Sequence, residues 1–372
     1  MTAPLTLLLL VATTVGALLG LGGAALMLSR AGRGRITVDE PDARRLHTTP
    51  TPRGGGLGIV VAGLLASLLA SLVALCLAPS SADARLVAIV VWAWALPNGL
   101  LGILDDRRPL PARAKLTVQV AAALCATGLG LRLDLLALPP FPALALPVAL
   151  AWFASVVWLI WIANGFNFMD GMDALAAPSG ALFASGLTLL ALAANLPLLA
   201  ITTACTGGAL LGFLRYNWPP ARIFMGDGGS LFAGALFGGS ALALATPAAG
   251  SMPLAAPLLL LGPFIWDTTF TLLRRAVRRE PLMTAHRTHL YQRLVLAGWP
   301  QSRVRALYLL LALAGLAAAL ALAVPQANSR PHGLHLLVLL GAVTAAGALA
   351  IGTHLVERRA VASSPTSLEP RR

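Results

Sequence analysis

Charged residues are scarce in this chain. Asp, Glu, Lys and Arg make up 11% of its 372 residues, whereas hydrophobic residues make up 58%. The mean hydropathy is +0.80. A soluble domain needs a largely polar surface, so this composition excludes one and predicts a polytopic membrane protein.

Lysine and cysteine are also nearly absent. Lys115 is the only lysine among 27 basic residues. Because the chain uses arginine wherever positive charge suffices, a retained lysine favours a compact contact to phosphate, with chance survival as the alternative. The three cysteines, Cys76, Cys125 and Cys205, lie in apolar stretches without metal-type spacing. Neither a disulfide framework nor a zinc site is predicted.

The apolar stretches predict an all-α fold with about eleven transmembrane helices, since a helix needs about 20 mostly apolar residues to cross a bilayer. The predicted spans are 4–29, 54–78, 86–104, 116–131, 143–163, 174–194, 196–214, 230–246, 253–273, 306–324 and 334–355. The first has no basic n-region and is longer than the apolar h-region of a signal peptide, so we expect it to be retained. One domain, 1–357, and a disordered cytoplasmic tail, 358–372, are expected.

The basic residues predict the orientation of these helices. All of them except Arg85, Arg132 and Arg330 fall on one side of the eleven spans. Cytoplasmic loops carry the positive excess, so the N-terminus is predicted outside and the C-terminus inside. Topology and attraction to anionic membrane lipids account for the net charge of +13, and no nucleic acid is needed to explain it.

Five carboxylates form three clusters at the ends of apolar stretches, all on the predicted cytoplasmic side. They are Asp105 and Asp106, Asp170 and Asp173, and Asp227. Ionised groups beside hydrocarbon are costly, so such clusters mark a candidate site. The adjacent Asp105 and Asp106 suit a divalent metal or a base that handles phosphate. A solvated turn, with Arg107 and Arg108 as partners, is the alternative.

The loop after the fifth predicted span repeats a polar residue at every third position. Its members are Asn164, Asn167, Asp170 and Asp173. On a helical turn such residues are neighbours. Amides offer directional contacts to a base or sugar, and carboxylates bind metal or take protons. A helix cap is the alternative, and it would explain only one of the four.

The loop before the eighth predicted span surrounds Asp227 with glycines, from Gly226 to Gly229. A glycine-rich turn at a helix N-terminus offers backbone N–H groups to phosphate, and Asp227 could hold a cation against it. The adjacent Phe224 suits stacking on a base, or equally an anchor at the membrane interface.

The ninth loop is the longest and carries His286, Arg287 and His289. Histidine and arginine near carboxylates suit an anion that bears a diphosphate. The segment His289–Trp299 also predicts a basic amphipathic helix on the membrane, which is compatible with that role. Asp267 lies within the ninth span, and either an ion pair with an arginine or a role in the site would explain it.

Together these motifs resemble the polyprenyl-phosphate N-acetylhexosamine-1-phosphate transferase superfamily, glycosyltransferase family 4, over roughly residues 40–300. The matching pattern is Asp-Asp with a downstream Lys-Leu-x-x-Gln, then Asn-x-x-Asn-x-x-Asp-Gly-x-Asp, then Phe-Met-Gly-Asp-x-Gly-Ser, then a histidine loop. The resemblance implies transfer of a sugar phosphate from a UDP-N-acetylhexosamine to undecaprenyl phosphate. The reaction releases UMP at the cytoplasmic face of the inner (plasma) membrane and depends on Mg²⁺, with Mn²⁺ as a substitute.

The resemblance also implies roles for individual residues. The sequence leaves the oligomeric state open, with a homodimer as one candidate. Asp227 matches the metal ligand, and Asp105 and Asp106 match the acidic pair that engages lipid phosphate or metal. The nucleotide-sugar site is implied for Asn164, Asn167, Asp170 and Asp173, the uridine-binding pair for Asn217 and Phe224, the phosphate-contacting lysine for Lys115, and the first histidine of the His-x-His-His loop for His289. We expect catalytic roles for Asp105, Asp106, Asp170, Asp173 and His289, and substrate binding by His286 and Arg287. Direct attack by the lipid phosphate, oriented by Asp105, is favoured over a covalent aspartyl-phosphate route.

Two departures bear on the subgroup. Tyr291 and Gln292 stand where the family's second and third histidines are expected, and Ala174 follows Asp173 in place of glycine. The amino-acid sequences of the motifs are most similar to those of the O-antigen-initiating branch, whose members are associated with 6-deoxy N-acetyl sugars. An enzyme specific for UDP-N-acetylglucosamine, for teichoic acid or common antigen, is the alternative. A secondary transporter or an inactive scaffold is the alternative from another class.

Overall fold

The protein is all-α, with two small antiparallel hairpins. The computed structural model describes residues 3–34, 37–40, 49–77, 82–138, 141–246, 252–282, 284, 286–323 and 332–363. The helices are α1 (Ala3–Ala31), α2 (Leu57–Leu77), α3 (Ala82–Ala88), a π-helical segment (Ile89–Ala95), α4 (Leu96–Arg107), α5 (Ala112–Gly128), α6 (Val148–Phe168), α7 (Ala176–Ala193), α8 (Pro197–Asn217), α9 (Gly226–Ala245), α10 (Ala255–Leu260), α11 (Gly262–Val277), α12 (Leu290–Leu296), α13 (Gln301–Ala323) and α14 (His332–Ser363). The hairpins pair β1 (Val38–Asp39) with β2 (Thr51–Pro52) and β3 (Leu135–Leu136) with β4 (Leu144–Ala145).

Every predicted span coincides with helix, which confirms the all-α, multi-pass architecture. Eight helices in the described ranges are long and apolar enough to cross a membrane, and the apolar part of α2, Leu57–Leu72, is shorter. The ninth predicted span is divided into α10 and α11, because Pro263 at the start of α11 cannot donate the backbone hydrogen bond that would continue α10. The number of crossings and the orientation stay predictions.

Two predicted boundaries differ from the structure. Helix α14 continues to Ser363, beyond the start of the tail predicted at 358, and residues 364–372 lie outside the described part of the chain. Residues 35–36, 41–48 and 324–331, which include Arg330 and other basic residues used to predict the topology, also lie outside it. The predicted amphipathic helix from His289 is present as the shorter α12.

Helix α9 forms the centre of the molecule, and its apolar window is completely buried. Glycines let its neighbours approach closely. A Cβ added at Gly234 would lie 2.7 Å from Phe166 Cβ, and one at Gly238 would lie 2.8 Å from Ile162 Cβ, both on α6. On another side, a Cβ at Gly239 would lie 3.0 Å from Val90 of the π-helical segment. This close packing fixes the position of the α9 N-terminus, where the polar residues gather.

Helix α1 packs against α8 through small residues on both helices. A Cβ added at Gly16 or Gly20 would lie 2.0 Å from a backbone carbonyl oxygen of α8, and one at Gly208 or Gly212 would lie 2.0 Å from a carbonyl oxygen of α1. The four-residue spacing within each pair is the small-xxx-small pattern by which membrane helices bring their backbones together. The first span therefore packs closely against the rest of the fold, and its retention stays a prediction.

We expect Gly20→Ala to destabilise the protein and Gly22→Ala on the same helix to leave it as stable or slightly more stable. The alanine at position 20 would meet the carbonyl of Ala209 at 2.0 Å, whereas a Cβ at Gly22 meets nothing within 4 Å. Both changes improve helix propensity by about 0.5–1 kcal/mol, so any difference reports the contact with α8. Thermal unfolding of the two variants in detergent provides the measurement. Equal midpoints would contradict the close packing of α1 on α8.

The segment before α2 lies against the segment that leads into α9. The N–H groups of Gly55 and Gly56 donate to the carbonyl oxygens of Phe224 and Met225 at 2.9 Å. A Cβ added at Gly56 would lie 2.4 Å from Gly229 Cα, so only glycine allows this approach. The Pro- and Gly-rich run Thr49 to Gly56 therefore lies against the start of α9.

Candidate active site

The ends of α4 and α9 meet through Asp106. Its carboxylate accepts hydrogen bonds from the N–H groups of Asp227 and Gly228, at 2.9 and 3.0 Å. Gly102 permits the contact, because a Cβ there would lie 2.2 Å from the Asp227 carbonyl oxygen. In this structure the Asp106 carboxylate occupies these two N–H groups, and phosphate binding by the glycine-rich turn stays a prediction. Asp106 fixes where Asp227 points.

Asp105, its neighbour, has a different environment. Its carboxylate accepts from the N–H of Leu110 at 2.7 Å and from Lys115 Nζ at 2.9 Å. The same Nζ lies 3.6 Å from Asp227 Oδ2, so the lysine bridges two carboxylates from different helices. Its partners are thus Asp105 and Asp227, which explains why this position carries a compact cation. Arg107 and Arg108, the predicted alternative partners of Asp105, make no ion pair with it in the described structure.

Asn167 completes the contacts of Asp227. Its Nδ2 donates to Asp227 Oδ1 at 3.1 Å and to Ser230 Oγ at 2.8 Å. Asn167 lies on the last turn of α6, and both acceptors belong to the first turns of α9. Asp227 is therefore held from three directions, by α4 through its backbone, by α5 through Lys115 and by α6 through Asn167.

A cavity of about 170 Å³ opens beside Asp227. Six of the residues that line it were predicted from the sequence: Asn167, Asp170, Asp173, Asn217, Phe224 and Asp227. They come from two segments that are far apart in sequence, one at the end of α6 and one between α8 and α9, and the fold brings them together. Burial and the negative charges of Asp227 and Asp106 raise the pKa of Asp170 well above its usual range. Asp170 therefore faces a site with an excess of negative charge, and a cation there would stabilise its ionised form.

Two side chains hold the loops of this cavity together. Asn217 accepts from the N–H of Ala174 at 3.0 Å and donates to the carbonyl of Ile223 at 3.1 Å. Asp173 accepts from the N–H of Ala221 at 2.9 Å. Since the amide of Asn217 is taken up by backbone groups, its contribution is to position Phe224 and the turn after Met172.

The structure places Asn164 away from the cavity. Its Nδ2 donates to Gln119 Oε1 at 2.9 Å and to the Ile160 carbonyl at 2.8 Å, and Gln119 Nε2 donates to Asn98 Oδ1 at 3.0 Å. These three amides form a chain that links α4, α5 and α6. The polar repeat therefore divides, because α6 ends at Phe168 and only its later members reach the cavity.

His289 lies in a buried cluster next to the cavity rather than on its wall. Its Nδ1 is 3.1 Å from Asp267 Oδ1. Asp267 also accepts from the N–H groups of Leu290 and Tyr291, at 2.8 and 3.1 Å, and from the hydroxyl of Tyr308. Of the two predictions for Asp267, the structural one is closer, but its partner is a histidine and not an arginine. Asp267 holds the start of α12.

Tyr291 and Gln292, the two departures from the family pattern, both have defined contacts. The Tyr291 hydroxyl donates to the Phe168 carbonyl at 3.2 Å, and a Cβ added at Gly171 would lie 2.2 Å from it. Gln292 Oε1 accepts from the His289 N–H at 3.3 Å, and its side chain lines the cavity. Tyr291 thus supports the turn that carries Asp170, and Gln292 contributes to the cavity wall.

His286 and Arg287 do not line the cavity. The ring of His286 lies 5.0 Å from that of His289, and Nδ1 of His286 is 3.1 Å from the Thr288 hydroxyl. Burial, together with the charges of His289 and Arg275, lowers the pKa of His286 to about 4. The imidazole is therefore neutral near pH 7, and the predicted contact of His286 with a diphosphate stays a prediction.

Sequence reasoning missed three residues of the cavity, Asp39, Arg53 and Gln301. Arg53 forms an ion pair with Asp39 at the mouth of the cavity. The glycine run after Arg53 is the signal that could have identified Arg53. Because this run lies against the start of α9, the residue before it must lie near the site. Gln301, at the start of α13, carries no comparable signal.

The carboxylate oxygens on the cavity wall fit a Mg²⁺ ion that is coordinated partly by the protein and partly by a substrate. In the described ranges, no three His, Cys, Asp or Glu side chains converge into a complete protein metal site. Mg²⁺ usually takes one or two carboxylates and completes its coordination with water and substrate phosphates. Asp227 and Asp170 line one cavity and provide such an incomplete oxygen set.

Comparison with known proteins shows the family of the chain. A family model described as glycosyl transferase family 4 matches residues 88–245, which include Asp105, Lys115, Asn167 and Asp227. A probable undecaprenyl-phosphate N-acetylglucosaminyl 1-phosphate transferase of Bacillus subtilis is 34% identical over 267 residues, 70% of each chain.

Two further relatives extend this result. A decaprenyl-phosphate N-acetylglucosaminephosphotransferase of Mycobacterium tuberculosis is 30% identical over 312 residues, 76% of this chain and 74% of the relative. A phospho-N-acetylmuramoyl-pentapeptide-transferase of Halalkalibacterium halodurans is 31% identical over 295 residues, 74% of this chain and 85% of the relative. From this identity and coverage, the chain belongs to glycosyl transferase family 4, within the polyprenyl-phosphate N-acetylhexosamine-1-phosphate transferase superfamily.

Proposed function

We propose that the protein transfers N-acetylhexosamine 1-phosphate from a UDP-sugar to undecaprenyl phosphate at the cytoplasmic face of the inner (plasma) membrane, and releases UMP. The observation that carries the proposal is the convergence of Asp105, Lys115, Asn167 and Asp227 at the junction of α4, α5, α6 and α9. Carboxylates with one compact cation suit phosphoryl transfer, in which the protein mainly positions anions and offsets charge.

The donor would occupy the cavity beside Asp227. About 170 Å³ is smaller than the roughly 300–1,000 Å³ of complete ligand pockets, so we expect the diphosphate end inside and the uridine near the mouth. Phe224 offers a ring for the base, and Asp173 and Gln292 line the wall beside it. Arg53 also lies on the wall, and its guanidinium group would form charge-assisted hydrogen bonds with a phosphate of the donor.

The reaction would proceed by direct attack. An oxygen of the lipid phosphate forms a bond to the phosphorus that carries the sugar, the bond from that phosphorus to the bridging oxygen breaks, and UMP leaves with the bond's electron pair. Asp227, together with Asp170, would hold Mg²⁺ or Mn²⁺, which supplies neutralisation of the diphosphate charge. Lys115 would reduce the repulsion between the two anions, and Asp105 would orient the lipid phosphate and take its proton.

Among donors, we propose UDP-N-acetylglucosamine first. The names of the Bacillus and Mycobacterium relatives contain N-acetylglucosamine, and neither contains a 6-deoxy sugar. UDP-linked 6-deoxy N-acetyl sugars are the second candidate, because the motif sequences resemble those of the O-antigen branch.

A direct test is UMP release by the purified protein with undecaprenyl phosphate, Mg²⁺ and a panel of UDP-N-acetyl sugars. We expect release with one sugar, loss of release after chelation by EDTA, and recovery on addition of Mg²⁺ or Mn²⁺. Because detergent micelles sustain no gradient, release there also excludes a secondary transporter. A folded protein that binds UDP-sugars but releases no UMP with any sugar or metal would refute the proposal.

Lys115→Gln is expected to lower kcat by about 10- to 100-fold, because it removes the cation between Asp105 and Asp227. Lys115→Arg should recover only part of the rate, since the planar guanidinium does not replace a compact ammonium in this gap. UMP release under saturating donor is the measurement.

The matched control is Arg113→Gln, on the same helix two residues earlier and exposed to solvent. It removes the same charge from the same helix, so it separates the effect of the Lys115 contacts from that of net charge. Equal rates for Lys115→Gln and Arg113→Gln would show that Lys115 has no specific role.

A further inference from the structure

A second cavity, of about 480 Å³, lies on the other side of Arg53. It is formed where the ends of α1 and α4 meet the segment before α2. Arg30, Arg53 and Arg107 line it together with the apolar side chains of Met27, Leu57 and Ile103. Cationic and apolar groups thus share one cavity at the ends of membrane-spanning helices.

The charges of this cavity are not balanced within the described part of the chain. Arg53 pairs with Asp39, whereas Arg30 and Arg107 have no carboxylate partner among the described residues. Among the described residues of the wall, Asp106 is the only carboxylate, and it accepts hydrogen bonds from N–H groups at the start of α9. Arg30 and Arg107 each lie in the last turn of a helix, where the helix dipole favours a cation. The dipole does not explain why both line one cavity with Arg53.

The chemistry of the walls selects the ligand. Guanidinium groups bind phosphate oxygens through charge-assisted hydrogen bonds. The neighbouring Met27, Leu57 and Ile103 would contact an alkyl chain, and the wall includes the end of α1, a helix long and apolar enough to cross a membrane. We propose that this cavity binds the phosphate headgroup of a membrane lipid, with Arg30 and Arg107 as its principal contacts.

The cavity is adjacent to the candidate active site. Arg53 lines both cavities, and Gly228 and Gly229, which follow Asp227, form part of the wall of the second. A bound headgroup would therefore lie beside the start of α9 and share Arg53 with the donor cavity. The inference does not depend on the proposed function, because lipid binding is measured without donor or turnover.

Native mass spectrometry of the full-length protein in detergent tests the site. The probes are phosphatidic acid, undecaprenyl phosphate, phosphatidylcholine and inorganic phosphate, titrated into the wild type, the double variant Arg30→Gln/Arg107→Gln, and Arg108→Gln. Arg108 is the matched control, because it is exposed at the end of α4 and does not line the cavity.

We expect the wild type to bind a lipid with a terminal phosphate group, phosphatidic acid or undecaprenyl phosphate, and the double variant to bind it about 30-fold more weakly. This factor corresponds to the loss of about 1 kcal/mol for each arginine. Arg108→Gln should bind as the wild type does, and phosphatidylcholine should not compete. Equal affinity of the wild type and the double variant for both phosphate-bearing lipids would overturn the proposal. If inorganic phosphate displaced the lipid at equal concentration, the proposal would also be overturned, because the alkyl chain of the lipid would then contribute nothing to its affinity.

The two lipid probes identify the source of the headgroup. Loss of undecaprenyl phosphate binding in the double variant, with phosphatidic acid unaffected, would assign the cavity to a polyprenyl phosphate. Loss of phosphatidic acid binding alone would assign it to an anionic phospholipid. Either result supports a phosphate-headgroup site.

Discussion

Asp227→Asn is expected to slow UMP release by about two to three orders of magnitude, the usual cost of removing a key electrostatic contact at a reacting phosphate. The change removes the charge on the carboxylate that lies 3.6 Å from Lys115 and that would hold the metal. The fold should persist, because the amide oxygen still accepts from Asn167 and the N–H of residue 227 still donates to Asp106.

The control is Asp134→Asn, the same chemical change at a half-buried acid that pairs with Arg132 at 2.6 Å and does not line the cavity. It should release UMP at the wild-type rate. Thermal unfolding of both variants separates a loss of chemistry from a loss of folded protein. If Asp227→Asn kept most of the activity while folding normally, Asp227 would not be the metal ligand and the proposed mechanism would fail.

The largest effect on stability is expected for Asp267→Ala. Its carboxylate is fully buried and accepts from the N–H groups of Leu290 and Tyr291 and from the Tyr308 hydroxyl. Removing it leaves these donors and His289 unpaired in the interior, at a cost of about 3–5 kcal/mol in the free energy of unfolding. We expect the midpoint of thermal unfolding in detergent to fall by about 5–10 °C.

Tyr308→Phe is the graded comparison, since it removes one donor to the same carboxylate and should cost only about 1 kcal/mol. Asp267→Ala should also reduce UMP release, because α12 carries Gln292 to the cavity wall. A Tyr308→Phe variant that is as unstable as Asp267→Ala would show that the hydroxyl, and not the cap on α12, is the dominant contact.

The sequence predicted the residues of the site best where the residue type alone indicates the chemistry. Asp105, Lys115, Asn167, Asp170 and Asp227 are polar residues at the ends of apolar stretches, where an unneeded charge would be costly, and the fold gathers them around one junction. The spans were predictable for the same reason, because the bilayer sets the length of an apolar helix.

The roles of neighbouring residues were not predictable. Asp105 and Asp106 are adjacent and chemically identical, but one pairs with Lys115 and the other caps α9. Asn164 and Asn167 share one spacing, but the rotation of α6 turns the first toward Gln119 and the second toward Asp227. Spacing along a chain does not say which side chain a neighbouring helix will meet.

By itself, the sequence determined the membrane class, the helical spans and the acidic loops, since composition and the thickness of the bilayer leave few alternatives. Only the tertiary structure decided that Asp106 and Asp267 cap other helices, that Arg53 lies between two cavities, and that His289 is buried. These roles depend on contacts between segments far apart in sequence, and the close approach of backbones at glycines sets them.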